Sequence, residues 1–229
     1  GSTLSYLHAG GFALVALAFC ILPDVAALEW RKGRKVAGGW IAAWTAYSTG
    51  GPGRVYSQRI QPTSGLVGTP TLLADQGETW TYLVGLADGG ETLLAAWSSV
   101  NPYADTQKDI VGLLLDANGG PIGTPHSLVQ GQGRAFTLSG GGLKGTGSGR
   151  FLFIFARRED NTTNREIFGL SLDGVVPAAP PFHLGGSASS PYFTAPELDV
   201  DRFGRALFSW TDQSVKGPND FAILRQGRL

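Results

Sequence analysis

A strand pattern that returns four times is the strongest constraint on how this chain can fold. Each copy follows a glycine, runs through apolar residues and closes on an aromatic side chain. The copies are Gly39-Trp-Ile-Ala-Ala-Trp-Thr, Gly90-Glu-Thr-Leu-Leu-Ala-Ala-Trp-Ser, Gly149-Arg-Phe-Leu-Phe-Ile-Phe-Ala and Gly204-Arg-Ala-Leu-Phe-Ser-Trp-Thr. Their closing aromatics are Trp44, Trp97, Phe155 and Trp210, at spacings of 53, 58 and 55 residues. A period of this length signals a repeated supersecondary unit. We term this strand B.

A polar loop follows each B, and then a strand C: Arg54-Val-Tyr-Ser-Gln-Arg-Ile, Asp109-Ile-Val-Gly-Leu-Leu-Leu-Asp, Glu166-Ile-Phe-Gly-Leu-Ser-Leu-Asp and Asp220-Phe-Ala-Ile-Leu. Asp116 and Asp173 open glycine-containing turns that suit hairpins. A shorter strand D follows, as Gly68-Thr-Pro-Thr-Leu-Leu, Gly123-Thr-Pro-His-Ser-Leu and Pro181-Phe-His-Leu. Proline there fits an outer edge, where a missing N–H breaks no ladder. A strand A then leads into the next B through a tight turn, as in Trp80 to Leu86 before Asp88-Gly-Gly, and Glu197 to Val200 before Arg202-Phe-Gly. Ala135 to Ser139 is the third A, and Gly140 to Gly149 reads as a glycine-rich connection.

Four antiparallel strands per unit of about 55 residues, with an edge that tolerates proline, is the requirement of a propeller blade. The expectation is an all-β fold: a small β-propeller of four four-stranded antiparallel blades, or five with one truncated. It would form a single domain over 1–229, with repeat cores near 36–87, 88–143, 149–200 and 201–229. The N-terminal strands, within residues 3–30, would complete the ring. Leu4 to His8, Phe12 to Phe19 and Val25 to Trp30 read as strands, although Pro23 to Leu28 serves equally as the A strand before Trp40. The uncharged run Ala9–Leu22 is short for a membrane span, which needs about 20 residues. It also lacks the basic flank of a signal peptide.

Strands B to D resemble the propeller-like repeats of secreted bacterial multi-repeat surface proteins. Trp97, Asp109-Ile-Val-Gly and Leu115-Asp116-Ala-Asn-Gly119 carry the likeness, followed by Glu166-Ile-Phe-Gly with Leu172-Asp173-Gly174. The first repeat departs from it, with Arg54 in place of the acid and no aspartate at the turn. The resemblance implies architecture and export, hence an extracellular or cell-surface location, and no shared catalytic residues. Asp75-x-Gly77-x-Thr79-Trp80 resembles the latter part of the Asp-box of sialidase propellers, though Leu73 replaces the hydroxyl residue and the motif lies between D and A.

Composition narrows the function. Eighteen Lys plus Arg balance eighteen Asp plus Glu, so the basic excess expected of a nucleic-acid binder is missing. Arg31, Lys32, Arg34 and Lys35 form the densest basic cluster and read as a solvated turn. The single Cys20 permits no intrachain disulfide and reads as a buried thiol. His8, His126 and His183 lie far apart, no Gly-x-Ser-x-Gly elbow occurs, and no zinc ligand set assembles. Asp116-x-Asn118-Gly-Gly and Asp199-x-Asp201 offer carboxylates of the kind that hold calcium, but neither continues to a distal carboxylate. No cofactor is therefore expected.

In a meander, loops alternate sides. B–C and D–A loops share one face, while A–B and C–D turns share the other. The longer B–C loops offer Tyr47, Tyr103, Arg157, Arg158, Asp160 and Asp212 as candidate glycan contacts, through ring stacking and through hydrogen bonds to hydroxyls. The function expected is a non-catalytic extracellular module that binds a glycan or a protein, or assembles into a surface structure. The N-terminal strand is an oligomer contact in that case. The alternative is a glycan-processing enzyme of sialidase or lyase type.

Overall fold

The computed structural model of the chain describes residues 25–36, 38–48, 53–75, 80–100, 108–130, 135–136, 142–158, 165–187, 196–201, 203–212 and 223–228. All regular elements among them are strands, gathered into four antiparallel sheets. Sheet one is β1 (Val25–Val36), β2 (Gly39–Ser48), β3 (Gly53–Gln61) and β4 (Gly65–Ala74), in that spatial order. Sheet two repeats the meander with β5 (Trp80–Asp88), β6 (Leu93–Val100), β7 (Lys108–Leu115) and β8 (Pro121–Val129). Sheet three centres on β11 (Arg150–Arg158) and β12 (Arg165–Asp173). Its A position is split into β9 (Ala135–Phe136) and β10 (Leu143–Gly147), both paired to β11. Its D position is split into β13 (Val176–Pro177) and β14 (Phe182–Ser187), both paired to β12. Sheet four contains β15 (Glu197–Val200), β16 (Ala206–Asp212) and β17 (Ile223–Arg228).

Each sheet therefore begins at strand A, one strand out of phase with a repeat counted from strand B. Two local expectations are corrected. Arg31, Lys32, Arg34 and Lys35 are not a turn; they lie in β1, paired to β2 through Arg34↔Ile41 and Lys35↔Trp40. Part of the glycine-rich connection is the strand β10, where Leu143, Lys144 and Gly145 pair with Phe153, Leu152 and Phe151. The strand reading of residues 3–24 lies outside the described residues. Val25–Val36 is the A strand of sheet one.

Alternate residues of the B strands β6 and β11 are buried against different neighbours. In β6, Leu93, Ala95 and Trp97 join Ile41, Ala43, Val55 and Leu73 of sheet one, with Leu113 and Leu115. Leu94 and Ala96 instead join Phe151, Phe153 and Phe155 of sheet three. In β11 the even residues Leu152, Ile154 and Ala156 pack with Leu198, Ala206 and Phe208 of sheet four. Three inter-sheet cores thus run in chain order. Trp97 is fully buried, and its indole Nε1 has no hydrogen-bond partner among the described residues. Leaving that donor unmade costs about 1–3 kcal/mol. Burying ~150–250 Å² of indole at ~25 cal/mol per Å² gains more, about 4–6 kcal/mol. The apolar term wins.

Polar bonds pin the seams between sheets. Leu83 N–H donates to Thr45 Oγ1 at 2.8 Å, and Ser57 Oγ donates to the Gly119 carbonyl at 2.6 Å. Gly149 N–H donates to the Gly89 carbonyl at 2.9 Å, joining the A–B turns of sheets two and three. The inner strands approach closely here. A Cβ on Gly145 would stand 1.7 Å from the Asp88 carbonyl oxygen, which is backbone and cannot swing aside. Gly145→Ala is expected to cost about 2–4 kcal/mol and to lower the thermal midpoint by roughly 5–15 °C. Gly33→Ala, where a Cβ meets nothing nearer than 3.8 Å, should stay within about 0.5 kcal/mol. Calorimetry on both variants checks the contrast.

Candidate functional site

Strands β1, β5, β10 and β15 hold the A position of their sheets and neighbour one another in chain order. The D strands lie outermost, with β8 exposed along most of its length. The A strands therefore surround the axis, and four charged residues on them lie within electrostatic reach of one another: Arg34, Asp88, Lys144 and Asp199. All four lie toward the A–B turns.

Arg34 is half-buried, and its Nε donates to the Leu86 carbonyl at 2.8 Å. Desolvation pulls its guanidinium below the ordinary arginine value, and the charges of Asp88 and Asp199 oppose that pull. Lys144 Nζ donates to Asp199 Oδ1 at 3.1 Å, with side-chain exposures of 29% and 80%. The Lys144 hydrogen bond is the main reason the Asp199 carboxyl lies below its usual range; slight burial opposes it, and Arg34 adds to the lowering. Asp88 Oδ1 accepts the Gly90 N–H at 2.8 Å. The cluster thus combines donors and acceptors drawn from four separate sheets. Its charges sum to zero, so it suits hydroxyl-rich neutral groups better than a bare ion. The folded value of Asp199 lies below its unfolded one. Its contribution to stability is therefore complete above the unfolded value and fades as pH falls through the folded one. At 80% side-chain exposure the pair adds under ~1 kcal/mol.

The two calcium candidates are turn architecture. Asp116 Oδ1 accepts the N–H groups of Asn118 and Gly120, at 2.7 and 2.9 Å. Asp201 Oδ1 does the same for Phe203 and Arg205, at 2.9 and 3.0 Å, while Arg205 Nε donates to Oδ2 at 2.7 Å. Gly119 and Gly204, with φ of 84° and 78°, supply the left-handed residue each turn needs. The Asp201 carboxyl is slightly opposed by desolvation, yet these bonds hold it below the ordinary range. Among the described residues no group of three His, Cys, Asp or Glu could hold a metal ion.

The sequence-predicted contacts fall elsewhere. Tyr47 ends its strand buried, at 9% exposure, with its ring edge over Gly53 and Thr45 close by. At that exposure the ring presents little surface to a ligand. Arg157 and Arg158 lie at the end of β11, opposite Glu166 and Arg165. Asp212 ends β16 opposite Ile223. Tyr103 and Asp160 lie outside the described residues. Asp75, of the Asp-box likeness, is 3.1 Å from Arg54 Nε. The sequence reading met Arg34 in a basic turn, Asp88 in a tight turn and Asp199 as a calcium candidate, but did not join them with Lys144, although each sits in an A strand shortly before its B strand.

No protein-family profile matches the chain, and no curated protein sequence matches it. Solved structures do. A sucrose-6-phosphate hydrolase from Lactobacillus gasseri is similar with TM-score 0.51 at 10% identity, over 79% of this chain and 39% of that one. The match thus takes in well under half of that protein's length. An endo-arabinase from Bacteroides thetaiotaomicron VPI-5482 gives TM-score 0.49 at 10% identity, over 86% and 73%. A GH43 endo-arabinanase from Bacillus licheniformis gives 0.45 at 13%, over 92% and 76%. The fold is a small β-propeller. At such identities the likeness speaks for the propeller fold alone. The sucrose-6-phosphate hydrolase that shares this fold is by its description an enzyme, so the expectation of a non-catalytic binding or assembly module that is not an enzyme is withdrawn.

Lys144→Met should raise the Asp199 pKa toward the ordinary carboxylate range, because its largest cause of lowering is removed. Carboxyl-carbon NMR titration of both proteins reads the shift directly, and an unmoved Asp199 would contradict the pairing.

Proposed function

We propose that this propeller is a glycan-processing hydrolase that works at the axial cluster, with Asp88 and Asp199 as its carboxylate pair. The observation that carries the reading is the convergence of two carboxylates and two cations, one from each inner strand, on one end of the axis. Glycoside hydrolysis needs two carboxyl groups, one to protonate the leaving oxygen and one, ionised, to act as base or nucleophile. Asp199 suits the ionised role, since Lys144 favours its charged form. Asp88 keeps Oδ2 for a substrate proton while Oδ1 is held by Gly90 N–H. The remaining N–H groups of Arg34 and Lys144 serve as donors to sugar hydroxyls. The neutral sum of the cluster favours an uncharged glycan. The secreted-repeat resemblance of strands B to D adds an extracellular setting to the reading, and the single Asp-box-like segment at Asp75 is too solitary to add a sialidase one.

The test is release of reducing ends from a panel of neutral oligosaccharides and polysaccharides, arabinans and fructosides among them. Asp88→Asn and Asp199→Asn, each with unchanged circular dichroism, should lower kcat by about 10²–10⁴-fold on any substrate turned over. No turnover on the panel, or variants as active as the parent, would contradict the reading.

A further inference from the structure

Among the described residues one non-glycine adopts a left-handed backbone, Ser148, with φ of 54°. Gly147 pairs with Arg150, so Ser148 and Gly149 form the two-residue turn between β10 and β11. Gly149 has φ of 72°, and two positive values in succession mark a type I′ hairpin. Such turns favour glycine, asparagine and aspartate, because a Cβ crowds the following carbonyl oxygen in this conformation. The other A–B turns obey that preference: Gly38, Gly90 and Gly204 hold their left-handed positions. Serine therefore keeps a strained conformation where glycine would be relaxed, in a segment that places glycine at 145, 147 and 149.

The same turn is fixed against the loop that carries Asp88. Gly149 N–H donates to the Gly89 carbonyl, and Gly174 N–H donates to the Gly149 carbonyl, both at 2.9 Å. A Cβ on Gly90 would lie 3.9 Å from the Ser148 nitrogen, which is ordinary contact distance. Gly90 is the residue whose N–H holds Asp88 Oδ1. Ser148 is exposed, and its hydroxyl has no hydrogen-bond partner among the described residues. No bond there offsets the strain. Strain kept in a rigid setting beside reactive groups is a mark of function.

We propose that Ser148 is a substrate-binding residue, whose hydroxyl bonds a hydroxyl of the sugar that leaves with the oxygen protonated by Asp88. The inference rests on the hydrolase reading and adds to it the group that recognises substrate on the Asp88 side. A serine hydroxyl donates one hydrogen bond and accepts two, which matches a sugar hydroxyl. It brings no charge, in keeping with the neutral sum of the axial cluster. The tied turn holds it in place, so little freedom is lost when a glycan binds. Glycine at this position relaxes the backbone and removes the hydroxyl. Alanine keeps the strain and removes the same hydroxyl. The two substitutions separate the two roles.

Equilibrium binding and turnover of neutral oligosaccharides by the full chain, Ser148→Gly and Ser148→Ala provide the test. Both variants should raise Kd and KM by about 3–10-fold, the weight of one neutral hydrogen bond, with kcat within about 2-fold of the parent. The thermal midpoint of Ser148→Gly should exceed that of Ser148→Ala by about 1–4 °C. Kd and KM unchanged in both variants, where Asp88→Asn abolishes turnover, overturn this inference and leave the hydrolase reading standing. Weakening by Ser148→Gly alone assigns the effect to the backbone and overturns the inference too. Binding weakened by both variants in a parent without turnover supports the Ser148 contact and overturns the hydrolase reading alone. A parent that neither binds nor cleaves any of the glycans overturns both.

Discussion

Strand β11 is buried at every position from Phe151 to Ala156, and β6 at every position from Leu93 to Ser98. A strand with apolar residues on both sides cannot be served by one layer of protein; it needs another sheet on each face. That requirement dictates the rest of the architecture. A single four-stranded unit would expose one greasy face or the other, so stability arrives only when units stack. The alternation 93, 95, 97 against 94, 96 shows the division of labour: the B strands β6 and β11 each complete the core in front of them and the core behind them. The stacking also explains why single-residue geometry matters at the seams, where Gly145 meets the Asp88 backbone and Gly53 meets the Thr81 carbonyl.

Once the sheets stack, their A strands have nowhere to go but the axis, where space is narrow and water has access. Large apolar side chains are poorly suited to that position. Arg34, Asp88, Lys144 and Asp199 occupy it instead, and each is answered by an opposite charge or by a backbone group. The same scaffold requirement that buries Trp97 therefore delivers a compact, balanced set of donors and acceptors to one point. The hydrolytic role we propose for this set draws on its two carboxylates and on the four strands that hold them.

Strands B and C were legible because two-sided burial writes itself as an apolar run closed by an aromatic, and the Asp116 turn because its carboxylate must cap two N–H groups. The outer D strands showed themselves through proline. Strand A was the poorly legible element, for a physical reason. Its pairing with strand B is interrupted between Trp30 and Lys32, between Leu83 and Gly85, and between Gly145 and Gly147. Each irregularity breaks the two-residue alternation on which a strand reading depends. Charge in β1 and glycine in β10 finished the disguise, so one read as a turn and the other as a connection. The axial site lay in those same strands and was missed with them. Loop length had directed attention to the B–C face, where Tyr47 proves to be packed rather than presented.

Four inner strands meet at one axis, so that Arg34 and Asp199, 165 positions apart in sequence, share an electrostatic environment. A double-mutant cycle on Arg34→Met and Asp199→Asn, read by chemical denaturation at low salt, tests this most directly. Sheets one and four lie at opposite ends of the stack, so only a closed ring brings these two groups together. A coupling energy above ~0.5 kcal/mol is the predicted result. Strict additivity of the two substitutions would contradict it, leaving a row of sheets where a ring is required.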